Sequence, residues 1–406
     1  MLQYSEAAVE RAMKVQEVIL RAVAKKITWI QAAEILGVSP RHMRRWKEKY
    51  EQFGFHALFD GRRGKTSPRR VPAAVLAEVL RLYREQYFDL NVSHFHEKLT
   101  QAHGFSVSYT WTKGVLQGAG LVSRQPRRGT HRKRRARRPL PGMMLHIDAS
   151  QHQWFGDERW CDLIVILDDA TSRIYYAQLV EQESTRTVMC ALRQVVEEQG
   201  LFCSLYSDRA SHFFLTPKAG EPVDRQSLTQ VGRALRELGI QLIPAYSPQA
   251  RGRSERSFRT WQGRLPQELR LQGMSTPEEA NQYLRETYIQ EFNQRFSVAA
   301  AEEGTAFVPC TRTDLERVFC LQHERVVARD NTVSFARLSL QVERQRWRGT
   351  LAGCRVIVYE HLDGTLSVGF GTHVVGRYSA EGRPLEAAAS TDEAAHKLKA
   401  ARRRAA

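Results

Sequence analysis

The chain of 406 residues is long enough for about three domains of ordinary size. Its composition, with 42% hydrophobic and 26% charged residues, is that of a globular protein. No stretch approaches the roughly 18 apolar residues of a membrane span, and no signal-peptide core is present, so we expect no membrane partner. The six scattered cysteines include no Cys-x-x-Cys pair, which excludes a disulfide scaffold and the common zinc modules and is typical of a reducing cytosol.

The positive charge lies entirely in the first third of the chain. Residues 1–140 contain 28 Lys and Arg against 11 Asp and Glu, whereas residues 141–406 contain 33 of each, so the whole net charge of +17 is at the front. Solubility alone does not require this segregation. It predicts a polyanion-binding arm, with nucleic acid as the leading partner, joined to a region with a different task.

The first elements predict a helix-turn-helix domain over residues 1–66. A periodic helix is expected from Ser5 to about Ala24. Thr28 and Gln31 then form a capping-box pattern, which opens a short helix that ends at Gly37. This short helix and the tight turn after it are the first half of the helix-turn-helix pattern.

The second half is a basic helix that begins at Ser39 and Pro40, a capping residue followed by proline at the first helical position. Met43, Trp46 and Tyr50 are expected to face the core. The basic side chains of this helix are the candidate DNA contacts in the major groove: Arg41, His42, Arg44, Arg45 and Lys47. The alternative is a plain helical hairpin with a solvated basic face.

Residues 67–123 predict a second helical domain. Helices are expected over Pro72–Tyr87, Ser93–His103 and from Ser108 to about Gly118. The pattern fits a second helix-turn-helix unit or a packing domain. Its closely spaced histidines suggest zinc, but no cysteine precedes residue 161, so we set a His/Cys metal site aside.

Residues 124–140 form a basic linker, with nine Lys or Arg among the fifteen residues from Arg124 to Arg138. Such a run repels itself and is expected to be disordered when free and to lie along phosphates when bound. If half of these charges engaged DNA, log K would fall with log salt at a slope of roughly −4. The alternative is a solubilising linker. The candidate phosphate contacts here are Arg127, Arg128, Arg132, Lys133, Arg134 and Arg135.

The middle of the chain predicts a mixed α/β sheet. Three strands in succession, Met144–Asp148, Cys161–Leu167 and Ile174–Val180, are expected to pair antiparallel. Two further strands, Leu201–Ser207 and Ile240–Pro244, follow after helices. Strands added across helices beside an antiparallel set give a mixed five-stranded sheet covered by helices, which is compatible with a ribonuclease-H-like core.

Four segments carry a family resemblance, and they lie in this order: Leu145–Asp148, Leu167–Arg173, Tyr206–Arg209 and Ser247–Arg256. They resemble the successive motifs of DDE transposases with a retroviral-integrase-type core, and among bacterial insertion sequences they look most like the ISNCY-type group. The resemblance covers roughly residues 20–300 and is most specific at the last segment. It implies that residues 141–300 form an integrase-type catalytic core.

The resemblance also implies that Asp148, Asp208 and Glu255 are the catalytic residues and the ligands of Mg²⁺ or Mn²⁺, with two ions bound. Hard carboxylate oxygens on a rigid base are what a pair of such ions requires. Singly, an aspartate that ends a strand is often a turn residue, and a glutamate near a helix start is often a helix-dipole partner. The adjacent Asp168 and Asp169 are alternative candidates for the first catalytic position, and we interpret them as turn residues.

Basic residues surround the last motif, and the candidates to hold DNA phosphates there are Arg251, Arg253 and Arg256. Glu268 is a rival to Glu255, but it follows a proline and lacks the preceding motif. The interval of 47 positions from Asp208 to Glu255 exceeds that of retroviral integrases, and the surplus fits an inserted loop over 216–225.

The remainder predicts a small β-barrel over residues 315–385 and a frayed or disordered tail over 386–406. A helix from Thr276 to about Phe292 ends the core. The expected strands are Val326–Ala328, Val333–Val342, Arg355–His361 and Thr365–Phe370, with a hairpin turn at Asp363 and Gly364.

Together with these features, the resemblance to DDE transposases implies a multidomain insertion-sequence transposase of the prokaryotic cytoplasm. It would bind double-stranded DNA, at terminal inverted repeats and at target sites, as a homo-oligomer and without a small-molecule substrate. Its core would cleave and rejoin strands by in-line phosphodiester transfer. The alternatives are a DNA-binding regulator with an inactive core and a ribonuclease-H-type nuclease without strand transfer.

Overall fold

The computed structural model describes residues 4–59, 70–124, 135–215, 223–224, 227–246 and 252–385. The chain divides into two compact units, residues 1–82 and 83–406. No helix in these described ranges is long and apolar enough to cross a membrane. All six cysteines are free thiols.

The first unit begins with α1 (Glu6–Val23), α2 (Trp29–Leu36) and α3 (Pro40–Phe53), which a short 3-10 helix (Phe55–Leu58) follows. The predicted capping box at α2 is present. The Thr28 hydroxyl accepts a hydrogen bond from the Gln31 backbone N–H at 3.3 Å, and the Gln31 side chain accepts from the Thr28 N–H at 2.9 Å. These paired bonds satisfy two backbone donors and fix where α2 begins.

The turn between α2 and α3 follows the predicted pattern. Gly37 ends α2 in the left-handed region, with φ of 64°, where a glycine carries no steric cost. Ser39 caps α3 by accepting from the His42 N–H at 3.3 Å, and Pro40 occupies the first turn. Met43 is fully buried against α1 and α2, so the opposite face of α3 is left to solvent.

Helix α4 (Ala73–Glu85) ends in the second unit, where α5 (Val92–Gln101) and α6 (Tyr109–Gly118) follow it. The Tyr83 hydroxyl donates to the Leu90 carbonyl at 3.0 Å, and the Tyr83 and Phe95 rings meet edge to face at 4.9 Å. These contacts hold the end of α4 against α5.

The second unit contains the predicted mixed sheet. Its strands are β1 (Leu145–His152), β2 (Cys161–Asp168), β3 (Ile174–Val180), β4 (Ser204–Ser207) and β5 (Gln241–Pro244). They lie in the order β3-β2-β1-β4-β5. The first three strands pair antiparallel, whereas β4 pairs parallel to β1 and β5 pairs parallel to β4. The predicted five-stranded sheet is confirmed.

Helices cover both faces of this sheet. They are α7 (Thr185–Gln199), α8 (Gln230–Glu237), α9 (Gly252–Gln262), α10 (Leu265–Gln272), α11 (Pro277–Tyr283), a π-helical turn (Leu284–Tyr288) and α12 (Ile289–Phe296). On one face Leu145 and Ile147 of β1 share a core with α7 and α8. On the other face β2 packs against Phe258 and Trp261 of α9.

The sequence from Ser254 to about Leu271 predicts one continuous helix, but this prediction is wrong, because the chain breaks between α9 and α10. Arg264 leaves the helical region, with φ of −141°, and Pro266 sits in the first turn of α10, where its missing N–H is tolerated. The carbonyl of Gly263 at the break accepts from the Asn91 side chain at 3.0 Å.

The C-terminal part is a β domain with its own core. Its elements are α13 (Leu315–Val318), β6 (Leu321–Val326), β7 (Thr332–Phe335), β8 (Leu338–Gln341), β9 (Arg355–Glu360), β10 (Leu366–Phe370) and β11 (His373–Tyr378). Four strands form a sheet in the order β11-β10-β9-β6, and β7 pairs with β8. No closed barrel forms among the described residues, because the β7–β8 hairpin meets the larger sheet mainly through buried side chains such as Val333 and Leu340.

The single strand predicted over Val333–Val342 is also wrong, since these residues form the β7–β8 hairpin. Ala336 and Arg337 make the turn with positive φ values of 46° and 68°. Consecutive positive φ angles characterise a type I′ hairpin turn, which usually carries Asn or Gly. Neither residue is present, so the sequence gives no turn signal here.

Candidate catalytic site and DNA-recognition helix

Helix α3 presents its basic side chains to solvent. Arg41, His42, Arg44 and Arg45 are all exposed. Lys47 is partly covered, with its ammonium 5.1 Å from the centre of the Trp29 ring. Met43, on the other side of α3, is buried and anchors the helix to the domain core. The exposed basic face can therefore enter a DNA groove.

Two of the candidate carboxylates lie on neighbouring strands. Asp148 is buried on β1, and Asp208 directly follows β4. The parallel register pairs Leu145 with Leu205 and His146 with Tyr206. Continued by two residues, this register brings Asp208 level with Asp148, and neighbouring strands are about 4.8 Å apart.

Asp148 belongs to the sheet face that α9 covers, because its register partner Val165 packs in the core that includes α9. Side chains alternate along a strand, and Leu145 and Ile147 face the opposite core. Asp148 therefore shares its face with Ser150, whose hydroxyl accepts from the Gln262 side chain of α9 at 2.9 Å. This contact places α9 alongside β1.

Glu255 is the third candidate, in the first turn of α9, and it is exposed. It precedes Gln262 by seven residues, or two helical turns, so the two side chains leave α9 on the same side. The contact of Gln262 with Ser150 shows that this side faces β1. Glu255 is thus on the same side of the helix as the strand that carries Asp148.

The donor set fits a hard divalent cation, since carboxylate oxygens are the ligands that Mg²⁺ and Mn²⁺ prefer. Within the described ranges, however, no group of three His, Cys, Asp or Glu side chains is close enough to hold a metal ion. The structure brings Asp148 and Asp208 to the same level of adjacent strands and leaves Glu255 outside such a cluster.

A second buried carboxylate lies beside this site. Asp169, at the turn after β2, is fully buried. Its side chain accepts from the His146 Nε2 at 2.7 Å and from the Arg138 backbone N–H at 2.8 Å. The guanidinium groups of Arg135 and Arg253 also bind it. Two residues expected to contact DNA phosphates are therefore bound to Asp169 in this structure.

The protonation states of this cluster follow from burial and hydrogen bonding. Burial raises the pKa of Asp169 by desolvation, but the hydrogen bonds from His146, Arg138 and Arg253 outweigh it and hold the pKa well below its usual range. Burial lowers the pKa of His146, and its bond to Asp169 only partly offsets this effect. A neutral imidazole therefore donates Nε2–H to an ionised carboxylate.

Asp168 behaves differently from its neighbour. Its carboxylate accepts from the Gly142 N–H at 3.0 Å and from the Thr171 N–H and hydroxyl at 2.7 and 2.8 Å. These bonds close the turn between β2 and β3, which is the role predicted for it. Asp169 lies in the same turn, but its side chain binds the guanidinium groups of Arg135 and Arg253, which together with His146 form the arginine cluster.

Glu268, the alternative to Glu255 as a metal ligand, forms ion pairs with residues of α5 instead. It lies on α10 and is buried, with its carboxylate 2.5 Å from His94 Nε2 and 2.8 Å from Lys98 Nζ of α5. Nearby, Arg264 binds Glu97 of α5 in a bidentate pair at 2.6 and 2.9 Å. The helical segment that includes α5 is thus docked on the core through buried ion pairs.

Several predicted DNA contacts lie outside the described residues, and so do most of the 216–225 loop and the 386–406 tail. These contacts are Arg127, Arg128, Arg132, Lys133, Arg134 and Arg251. Arg256 is described and is exposed on α9.

Comparisons with known proteins identify the family. A model described as a helix-turn-helix domain matches residues 16–66. The chain is 32% identical over 368 residues to "Putative transposase y4bF" of Sinorhizobium fredii, covering 90% of this chain and 80% of that protein. The chain belongs to the insertion-sequence transposase family. The transposase is also 29% identical to the transposase for insertion sequence IS1202 of Streptococcus pneumoniae, over 68% of this chain and 67% of that one.

Solved structures add weaker similarities to this transposase. A chain of the simian T-cell lymphotropic virus intasome overlaps 73% of it at 11% identity, with 95% of that chain covered and a TM-score of 0.32. The HTLV-2 integrase catalytic core, in complex with magnesium, overlaps 37% of it at 14% identity, with 90% of that chain covered and a TM-score of 0.27. At these scores the fold assignment rests on the strand order of the transposase itself.

The sequence did not reveal the arginine cluster around Asp169. Its partners lie 23, 34 and 84 positions away, at His146, Arg135 and Arg253. The only signal in the sequence was a second aspartate directly after a turn-forming one, and aspartate is itself a frequent residue of ordinary turns.

Proposed function

We propose that this transposase binds the terminal inverted repeats of its insertion sequence through α3 and cleaves and joins DNA at Asp148, Asp208 and Glu255. The observation that supports the proposal is the parallel β1–β4 register, which pairs His146 with Tyr206 and, continued by two residues, brings Asp208 level with Asp148. The reaction is in-line phosphodiester transfer, with no covalent bond between protein and DNA. This makes the protein a DDE-type polynucleotidyl transferase.

The three carboxylates are proposed to hold Mg²⁺ or Mn²⁺, as two ions. When bound, such ions activate a water or a 3′-hydroxyl and stabilise the leaving oxygen. The chain supplies a rigid base for Asp148 and Asp208 and a third ligand, Glu255, from the start of α9. Clustered carboxylates repel by about 4 kcal/mol per pair at 4 Å and an effective dielectric constant of 20.

DNA binding is divided between the exposed face of α3 and the basic linker over 124–140. We also propose that residues 1–66, 67–123, 141–300 and 315–385 form separate domains. Helix α6 carries one basic residue, Lys113, so the second domain reads DNA with few charges or serves for packing. Two transposon ends must meet in one complex, which requires a homo-oligomer on DNA in the prokaryotic cytoplasm, at the nucleoid.

The test uses purified full-length protein and a labelled duplex that ends in the inverted repeat of its element, with Mg²⁺ or with EDTA. We expect nicking at the terminus and joined products, both lost in Glu255→Gln. The matched control is Glu158→Gln, which removes the same charge from an exposed loop of the core. That variant should cleave and join like the wild type.

The alternatives give different results. Repeat-specific binding without nicking under any metal would identify a DNA-binding regulator with an inactive core. Nicking without joined products would identify a nuclease. Retained cleavage in Glu255→Gln would remove this residue from the site.

A further inference from the structure

The buried carboxylate of Asp169 joins the elements that carry two of the proposed catalytic residues. Its partner His146 is on β1, two residues before Asp148 and on the same face of the strand. Its partner Arg253 is in the first turn of α9, two residues before Glu255. The same carboxylate therefore contacts the strand of one catalytic residue and the helix of another.

A third connection reaches the end of the basic linker. Arg135 binds Asp169 through its guanidinium, and its backbone carbonyl accepts from the Arg253 side chain at 2.9 Å. The Arg253 side chain is 18% exposed, so the ion pair with Asp169 is largely shielded from solvent. Charged hydrogen bonds in such a setting fix geometry more firmly than exposed pairs.

The position of α9 is fixed at its other end as well. Gln262 donates to Ser150 of β1 at 2.9 Å, and Phe258 and Trp261 are buried against the sheet. The first turn of α9 is polar, with Arg253 partly buried, Ser254 buried and Glu255 exposed. The contact of Arg253 with Asp169 ties this first turn to the turn that follows β2.

We propose that Asp169 is a positioning residue, which sets the first turn of α9 and thereby Glu255 relative to Asp148 for metal binding. The inference rests on the proposed function, because it assumes that these carboxylates bind the metal ions. Residues that orient metal ligands typically change metal affinity or activity by about 10- to 100-fold when they are replaced.

The test compares Asp169→Asn with Asp168→Asn. Asp168 is the matched control, since it is an adjacent aspartate that is equally buried but bonds to Gly142 and Thr171 instead of to α9. Mn²⁺ affinity of the full-length protein is measured from the free Mn²⁺ signal in electron paramagnetic resonance. Urea unfolding of each variant is measured in parallel.

Asp169→Asn is expected to weaken Mn²⁺ binding by about 10-fold or more, and Asp168→Asn to change it by less than about threefold. Arg253→Gln should reproduce the loss, and Arg253→Lys should restore part of it. The double variant Asp169→Asn/Arg253→Gln should be no weaker than the weaker single variant, because both changes break one interaction. If Asp169→Asn does not fold, the two Arg253 variants decide the outcome.

Mn²⁺ affinity equal to that of the control, in folded Asp169→Asn or in Arg253→Gln, would overturn the inference. A loss of stability with unchanged Mn²⁺ affinity would show a purely structural role and would also overturn it. If the wild type itself neither binds Mn²⁺ nor cleaves, the proposed function fails first, so the two failures are distinguishable.

Discussion

Replacing Glu268 with glutamine should destabilise the protein by about 2 kcal/mol without touching the proposed catalytic site. The carboxylate is buried on α10, 2.5 Å from His94 Nε2 and 2.8 Å from Lys98 Nζ of α5. Glutamine keeps nearly the same volume, so the change removes a charge and not a packing contact.

The magnitude follows from the exposure of each partner. Removing one member of a fully buried ion pair costs about 3–5 kcal/mol. The Lys98 side chain is 26% exposed and can turn towards water, whereas that of His94 is 1% exposed and cannot. The loss is therefore close to that of one buried hydrogen bond to a charged group, which is about 1.5–3 kcal/mol.

Urea unfolding of the full-length protein, followed by tryptophan fluorescence, measures this effect. Trp261 is a suitable reporter because it is buried and stacked on Phe292 at 4.3 Å. The control is Glu255→Gln, an exposed change that should stay within about 0.5 kcal/mol of the wild type. Equal unfolding midpoints for Glu268→Gln and Glu255→Gln would refute the reasoning.

The pH dependence gives an independent check. Burial raises the pKa of Glu268 by desolvation, but the hydrogen bonds from His94 and Lys98 outweigh it and leave the pKa below that of an ordinary glutamate. A lowered pKa in the folded state adds stability above the unfolded pKa, and this is lost as pH falls through the folded value. The gap between wild type and Glu268→Gln should therefore be constant above about pH 5.5 and shrink below about pH 4.5.

Two further predictions concern DNA recognition and backbone geometry. Arg44→Ala or Arg45→Ala should each weaken binding to the terminal repeat by about 1–3 kcal/mol, measured by fluorescence anisotropy. The control Arg21→Ala, which removes an exposed arginine of α1, should not weaken binding. Equal affinities of these variants would exclude α3 as the recognition helix. Gly200→Ala should lower the free energy of unfolding, measured by urea denaturation, by about 2 kcal/mol or more, because φ is 97° and a Cβ would collide with the Val308 carbonyl. Gly273→Ala, with φ of 70° and open space around it, should cost only about 1 kcal/mol, and equal losses would contradict the steric explanation.

The features that the sequence predicted well are those determined by neighbouring residues. The capping box of Thr28 and Gln31 and the Ser39 cap of α3 act over three positions, so their residue types suffice. The buried strand β2 likewise follows from its unbroken apolar run. The β7–β8 hairpin was missed because Ala336 and Arg337 adopt positive φ values that their residue types do not indicate.

The features that could not be predicted depend on residues far apart in the chain. Glu268 is a plausible metal ligand in sequence, and only its contacts with His94 and Lys98, 174 and 170 positions away, show that it holds α5 on the core. Asp169 is likewise a plausible turn residue until Arg253 is seen beside it. Carboxylates that look equivalent in a sequence are distinguished by partners that only the fold brings near.

The same reasoning changes how the basic linker is interpreted. Of its nine basic residues, Arg135 binds Asp169, and Arg137 donates to the carbonyls of Asp169 and Ala170 at 3.0 and 3.1 Å. These two guanidinium groups serve the core and are not available to phosphates while the contacts persist. If half of the other seven engaged DNA, the salt slope from the linker would be roughly −3 and not −4. A count of charge along the sequence thus overstates the number of linker side chains that are free to contact phosphates, because Arg135 pairs with a buried carboxylate and Arg137 donates to backbone carbonyls.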